Sequence, residues 1–95
     1  MARVTWSLPA VTDLELIADY IRRDSPRYAT RAIRDITTIV RRIPSAPFAG
    51  RIVPEFQDEN LRERFYKSYR IIYRIIDGRI EIVRIKHMSM DLKSL

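Results

Sequence analysis

The stretch RERFYKSYRIIYRIIDGRIEIVRIKH, Arg62 to His87, reads as a β-meander, and the rest of the chain is arranged around it. Its centre is Asp77-Gly78, set between two runs rich in isoleucine and arginine. A two-residue type I′ turn needs positive φ at both central positions, which Asp-Gly supplies at little steric cost. With Ile76 facing Arg79, antiparallel pairing places Ile75 against Ile80, Arg74 against Glu81, Tyr73 against Ile82, Ile72 against Val83 and Arg70 against Ile85. Arg74 opposite Glu81 is a cross-strand charge pair worth roughly 0.2–1 kcal/mol. A slip of one residue would send every side chain to the wrong face.

This register divides the hairpin into two surfaces. Tyr69, Ile71, Tyr73, Ile75, Ile80 and Ile82 share one face, apolar enough to be covered by helices and to form the core. Arg70, Ile72, Arg74, Val83, Ile85 and His87 share the other, which mixes cations with a short apolar strip and is where function is expected.

Ninety-five residues form one domain, 1–95, whose site must lie on the surface of a single core. The absence of cysteine excludes a disulfide framework and a thiolate metal cluster, and no cofactor or metal site is expected. No early basic-then-apolar segment or long apolar run suggests export or membrane insertion, so a cytoplasmic protein is expected. The formal charge of +6, with arginine far outnumbering lysine, points to an acidic partner. Nucleic acid and an acidic protein segment both fit, because the planar guanidinium binds phosphate and carboxylate in two-point geometry.

Ahead of the meander, Arg3 to Ser7 alternates like a short strand and is expected to join the sheet as an edge or partner strand. Val11, Leu14, Ile17, Ala18 and Ile21 then recur at helical spacing, with Pro9 suited to the first turn. Asp24-Ser25-Pro26 ends that helix and starts a second, capped by Ser25. Its apolar stripe is Ala29, Ala32, Ile33, Ile36, Ile39, Val40 and Ile43, with Arg27, Arg31, Arg34, Asp35, Arg41 and Arg42 largely outside it. Pro44 to Gly50 is a loop, and Arg51 to Glu55 a short extended segment whose Pro54 argues against a central strand. The order is strand, helical hairpin, then a three-stranded antiparallel meander: an α+β layer with both helices on one face of a small curved sheet. Ile36, Ile39 and Ile75 are expected in the core, with Tyr69, Tyr73 and Trp6.

In that order the sequence resembles the RelE/ParE superfamily of type II toxin–antitoxin toxins. The resemblance rests on Trp6 with Ala10 and Leu14, Ser25-Pro26, Gly50 to Glu55, Leu61-Arg62-Glu63, Tyr69 to Arg74, and Ile82 to His87, an ordered set covering nearly the whole chain. It implies a small toxin held inactive by a cognate antitoxin whose acidic, amphipathic segment wraps it, with operator DNA bound only through the antitoxin complex. RelE-like members cleave mRNA in the ribosomal A site, and ParE-like members poison DNA gyrase.

Metal-independent RNA cleavage needs help in deprotonating the 2′-hydroxyl, cations for the phosphorane-like charge and a donor for the leaving oxygen. Arg62, Arg64 and Arg70 are candidates for a cationic clamp, with Arg62 and Arg64 on one strand face and Arg70 on the neighbouring strand. The resemblance matches Arg70 to the RelE-like Tyr-Arg motif and Glu55 to a glutamate of some nucleases, and His87 is an acid or base candidate. Against this, Met90 stands where RelE-like members place a late arginine, and the C-terminal tyrosine of such nucleases is missing. Arg62-Glu63, Arg84 and His87 resemble ParE-like members. The reading therefore leans to a gyrase-directed toxin without chemistry of its own, with Arg62, Arg70, Arg74, Arg84 and His87 as target-binding residues. The plainer roles are ion pairs: Arg70 with Glu63 or Glu55, and Arg74 with Glu81.

Overall fold

A computed structural model describes residues 3–95. Strand β1 (Arg3–Trp6) is followed by helices α1 (Leu8–Arg22) and α2 (Pro26–Arg42), two 3-10 turns (Ile43–Ser45 and Pro47–Ala49), then strands β2 (Arg51–Ile52), β3 (Leu61–Tyr66), β4 (Tyr69–Ile76) and β5 (Arg79–His87). They form one sheet in the order β1-β5-β4-β3-β2. The strand β1 lies parallel to β5 at one edge, and the other neighbours are antiparallel. The expected meander of three strands is thus extended to four by β2, where Arg51 and Ile52 pair with Glu63 and Arg62. Pro54 lies just past this two-residue edge strand, where its missing N–H interrupts no ladder.

Both helix starts follow from side-chain capping. Ser25 accepts a hydrogen bond from the Tyr28 N–H, with Pro26 opening the helix behind it. Ser7 does the same for Ala10 and also donates its hydroxyl to the Val83 carbonyl at 2.8 Å, tying the start of α1 to β5. The two helices lie on one face of the sheet. Their Ala10, Ile36, Val40 and Ile43 meet Ile71, Tyr73, Ile80, Ile82 and Ile85 in the main core.

Asp77 and Gly78 have φ of 46° and 75°, as the turn requires. From that turn the register runs as expected through Ile75↔Ile80, Arg74↔Glu81 and Tyr73↔Ile82, and then shifts. The next pairs are Ile72↔Arg84 and Ile71↔Ile85, not Ile72↔Val83 and Arg70↔Ile85. One extra residue in β5, Val83, makes a β-bulge and reverses the alternation from Arg84 onward. Ile85, expected on the second face, is therefore in the helix-covered core.

The second face is also covered. Val53, Leu61, Ile72 and Val83 form a smaller apolar cluster closed by Leu92, with Leu95 packed against it. The C-terminal segment reaches it through a hydrogen bond from Met88 N–H to the Ser68 carbonyl (2.7 Å). A sheet with helices on one side and only a few apolar residues on the other hides those residues from water by folding its own tail across them.

Of the three isoleucines expected in the core, Ile36 is fully buried, whereas Ile39 and Ile75 are only partly so. Ile36→Ala is expected to cost about 3–5 kcal/mol in urea denaturation, and Ile39→Ala and Ile75→Ala about half of that, because less surface and a smaller cavity are involved. Gly78→Ala is expected to cost roughly 1 kcal/mol without disturbing any packing, since its φ is left-handed and its surroundings are open.

Candidate functional site

The strands β2, β3 and β4 bring four charged residues together on the second face. Arg70 lies on β4, Glu63 on β3, Arg51 on β2 and Glu55 in the turn after it. Arg70 donates from Nε to Glu63 Oε1 (2.6 Å) and from both terminal nitrogens to the two oxygens of Glu55 (2.7 Å each). Arg51 takes the other oxygen of Glu63, with its Nε at 2.8 Å. The Glu63 side chain is fully buried and that of Arg70 is 6% exposed, so both are strongly desolvated, yet each is matched by opposite charge. Every nitrogen of the Arg70 guanidinium is occupied.

The electrostatics follow from this fork. Its hydrogen bonds to Arg70, against a smaller opposing effect of burial, hold the Glu55 carboxyl well below its ordinary 4.5, at about 2. Arg70 is in turn held charged more firmly, first by Glu55 and also by Glu63. A carboxylate so acidic and so engaged is a weak proton acceptor. The shallow cleft above it, about 230 Å³, is lined by Arg51, Pro54, Glu55, Phe65, Arg70, Met88 and Asp91. Leu92 donates its N–H to Glu55 at 3.4 Å.

The remaining candidates lie elsewhere. Arg62 and Arg64 sit opposite Tyr73 and Ile71, on the helix-side face of β3, because alternation along the strand puts them across the sheet from Glu63. Arg62 donates to the carbonyls of Glu59 (2.7 Å), Gly50 (3.2 Å) and Phe48 (3.3 Å) and lies over the Phe48 ring, and Arg64 donates to Ala46 (2.7 Å). Both brace the loop between α2 and β2. The expected clamp of Arg62, Arg64 and Arg70 is therefore divided between two faces. Arg74 stands opposite Glu81 in register, but its ion-pair contact is Asp58, at 4.0 Å.

His87 is also displaced by the bulge, to the helix side. It meets the edge of Tyr69 with ring centroids 5.5 Å apart and lines a mainly apolar groove of about 370 Å³ with Leu16, Ile17 and Tyr20. Its Nδ1 accepts from the Ser89 N–H at 3.1 Å. Leu16 and Tyr20 are each more than 60% exposed, so this groove is an apolar surface beside a titratable ring.

The structural weight of three residues escapes a reading of the sequence. Asp13 is buried on α1 and receives both a two-point bond from Arg84 (2.8 and 2.9 Å) and the Ile85 N–H (3.0 Å), with Lys86 at 3.6 Å. Burial alone would raise its carboxyl, but the Arg84 and Ile85 hydrogen bonds and the nearby Lys86 charge together keep it lowered. It closes part of the β5 edge that β1 leaves uncovered. Glu63 carries no local signal that it will be the buried centre of the network. Gly50 is required by close approach, since a Cβ there would come within 2.9 Å of the Glu63 carbonyl and against the Tyr73 hydroxyl, which donates to Pro47 at 2.6 Å. Among the described residues, no cluster of acidic, His or Cys side chains is placed to hold a metal ion, and no helix is long and apolar enough to cross a membrane.

A helical hairpin laid on a short, largely antiparallel sheet with a parallel first strand is the architecture of toxins from type II toxin–antitoxin pairs. Residues 4–92 match the family model described as ParE toxin of type II toxin-antitoxin system, parDE, and the chain belongs to that family, within the RelE/ParE superfamily. It is 36% identical over 90 residues to Toxin RelE2 of Caulobacter vibrioides, covering 94% of this chain and 98% of that protein. The solved chromosomal ParDE toxin–antitoxin system of P. aeruginosa shares its fold with a TM-score of 0.77 at 24% identity, over 94% of this chain and 98% of that one. A toxin–antitoxin complex, RelBE2 of Mycobacterium tuberculosis, matches with a TM-score of 0.56 at 19% identity, over 90% and 96% of the two chains. Toxins of such systems pair with a cognate antitoxin.

Removing one member of the buried network exposes its worth. Arg70→Ala leaves the Glu63 and Glu55 carboxylates facing each other without this guanidinium and is expected to destabilise the fold by about 3–5 kcal/mol in urea denaturation. The network is also expected to make stability fall in acid. Glu55 titrates lower in the folded chain than when unfolded, so its contribution is complete above about pH 5 and is lost as the pH falls toward 2. In Glu55→Gln, the loss of stability between about pH 5 and pH 3 should be visibly shallower than in the parent chain.

Proposed function

We propose that this chain is a ParE-like toxin that inhibits DNA gyrase by binding it, and that it is neutralised by a cognate antitoxin through an acidic, amphipathic segment. The observation that carries this reading is the engagement of Arg70 in a buried ion network. Three of its five N–H donors go to Glu63 and Glu55 and its side chain is only 6% exposed, so little of it is presented to a phosphate, and Arg62, Arg64 and His87 lie away from it. A ribonuclease needs a base, an acid and cations converging within hydrogen-bond reach of one phosphate. A protein-directed inhibitor needs only a shaped surface, which fits a chain whose buried charges are tied up in structure. The family match supports the same choice.

The target-binding surface in this reading is His87 with the apolar groove of Leu16 and Tyr20 beside it, with Arg74 available on the other face of the sheet. The antitoxin also needs apolar anchors, and the exposed aromatic and aliphatic side chains of α1 supply them together with the overall positive charge. Operator DNA is reached in this reading within the toxin–antitoxin complex.

A second reading, a RelE-like ribosome-dependent mRNA endoribonuclease, is supported by the name of the Caulobacter relative. Pulse labelling of new DNA and new protein in the minutes after induction separates the two. Gyrase binding predicts an early fall in DNA synthesis with translation intact, together with inhibition of purified gyrase in a supercoiling assay. An early fall in translation with new mRNA ends, and no effect on gyrase, would establish the nuclease instead.

A further inference from the structure

The positive charge of this protein is concentrated on α2. That helix carries five arginines, Arg27, Arg31, Arg34, Arg41 and Arg42, against one aspartate, Asp35. At 100° per residue the five fall within an arc of roughly 100°, and from Arg27 to Arg42 the row is about 22 Å long. All five are exposed. The open depression along the first half of the row, about 520 Å³, is lined by Arg27, Thr30, Arg31, Arg34 and Asp35.

Little of this row is neutralised by acidic partners. Among the described residues, the only ion pair they make is between Arg31 and Asp35 at 4.0 Å, with the Arg31 side chain 70% exposed. Asp35 is also engaged by the Tyr66 hydroxyl at 3.1 Å. By contrast Arg51, Arg70 and Arg84 are each bound to a carboxylate in the fold. A row of cations with so little internal neutralisation carries a cost in self-repulsion that a polyanion would relieve.

From this we propose that the arginine row of α2 is a binding surface for the phosphate backbone of duplex DNA. Three features select that occupant. An acidic protein segment normally docks around a buried aromatic or aliphatic anchor, and the row contains none: Tyr28 lies outside its arc, and the apolar groove is on α1. A single strand is normally held by stacking its bases on aromatic side chains, which the row also lacks. A straight, rigid line of charge is matched by a stiff, straight polyanion, and a DNA duplex stays straight over far more than 22 Å. The contacts position the chain without reading bases, because all of them go to phosphate. This inference stands independently of gyrase as the target.

The test is fluorescence anisotropy of the full chain with a labelled duplex of about 20 base pairs and arbitrary sequence, repeated across a salt series. The triple variant Arg27→Gln/Arg31→Gln/Arg34→Gln is expected to bind at least tenfold more weakly. The slope of log affinity against log salt should become shallower by about 0.9 for each contact removed. A control removing the same charge elsewhere, Arg3→Gln/Lys67→Gln/Arg79→Gln, should keep most of the affinity and slope, with thermal melting checking that both variants fold. If the triple variant does not fold, Arg34→Gln and Arg41→Gln singly should each lower the slope by about one. The proposal is overturned if the control loses as much as the α2 variant, or if single-stranded DNA or duplex RNA binds as tightly as duplex DNA. Unchanged duplex binding by an α2 variant that no longer binds the antitoxin would likewise overturn it and make the row a protein interface.

Discussion

Between the pairs Tyr73↔Ile82 and Ile72↔Arg84, β5 holds one residue more than β4, and the layout of the functional surface depends on that insertion. A strand presents alternate residues to opposite faces, so one extra residue exchanges the faces of all that follow. Here it sends Ile85 into the helix-covered core and carries His87 to the groove beside α1. Arg70, on the unbulged partner strand, keeps its place on the other face. Two residues that an uninterrupted ladder would put on one face are thus on opposite faces of the sheet.

The second face shows how a small domain uses charge inside its structure. Glu63 is removed from water, and its buried carboxylate is matched by Arg70 and Arg51 on either side. Glu55 completes the fork and accepts the N–H of Leu92, so the ion network also anchors the C-terminal segment that covers Leu61, Ile72 and Val83. Charge pairing and apolar burial on this face support each other. Arg70 therefore has a structural role large enough to complicate any loss-of-toxicity experiment, because a variant that fails to fold is also harmless.

Ten of the fifteen arginines accordingly fall into two populations. Arg51, Arg70 and Arg84 bind carboxylates, and Arg62 and Arg64 bind backbone carbonyls of the loop after α2. The arginines of α2 face solvent. Net charge alone does not separate these groups, yet only the second is free to meet a partner over a wide area.

Much of the fold was legible in local patterns. Asp77-Gly78 marked the hairpin and its first pairs, Ser25-Pro26 marked the junction of two helices, and the stripe from Ala29 to Ile43 marked the buried side of α2, since each depends on residues within a turn or two of one another. The ordered set from Trp6 to His87 was enough to indicate the toxin family. Less of the site was legible. Arg70 with Glu63 and Glu55 was readable as a possible ion pair, but the bulge, the burial of Asp13 against a residue 71 positions away, and the folding of Leu92 over the sheet were not. The sequence by itself determined the elements, their order and the hairpin turn, because those follow from short-range backbone preferences and hydrophobic period. Only the tertiary structure decided which arginines are consumed and which remain free, because that depends on contacts between segments far apart in the chain.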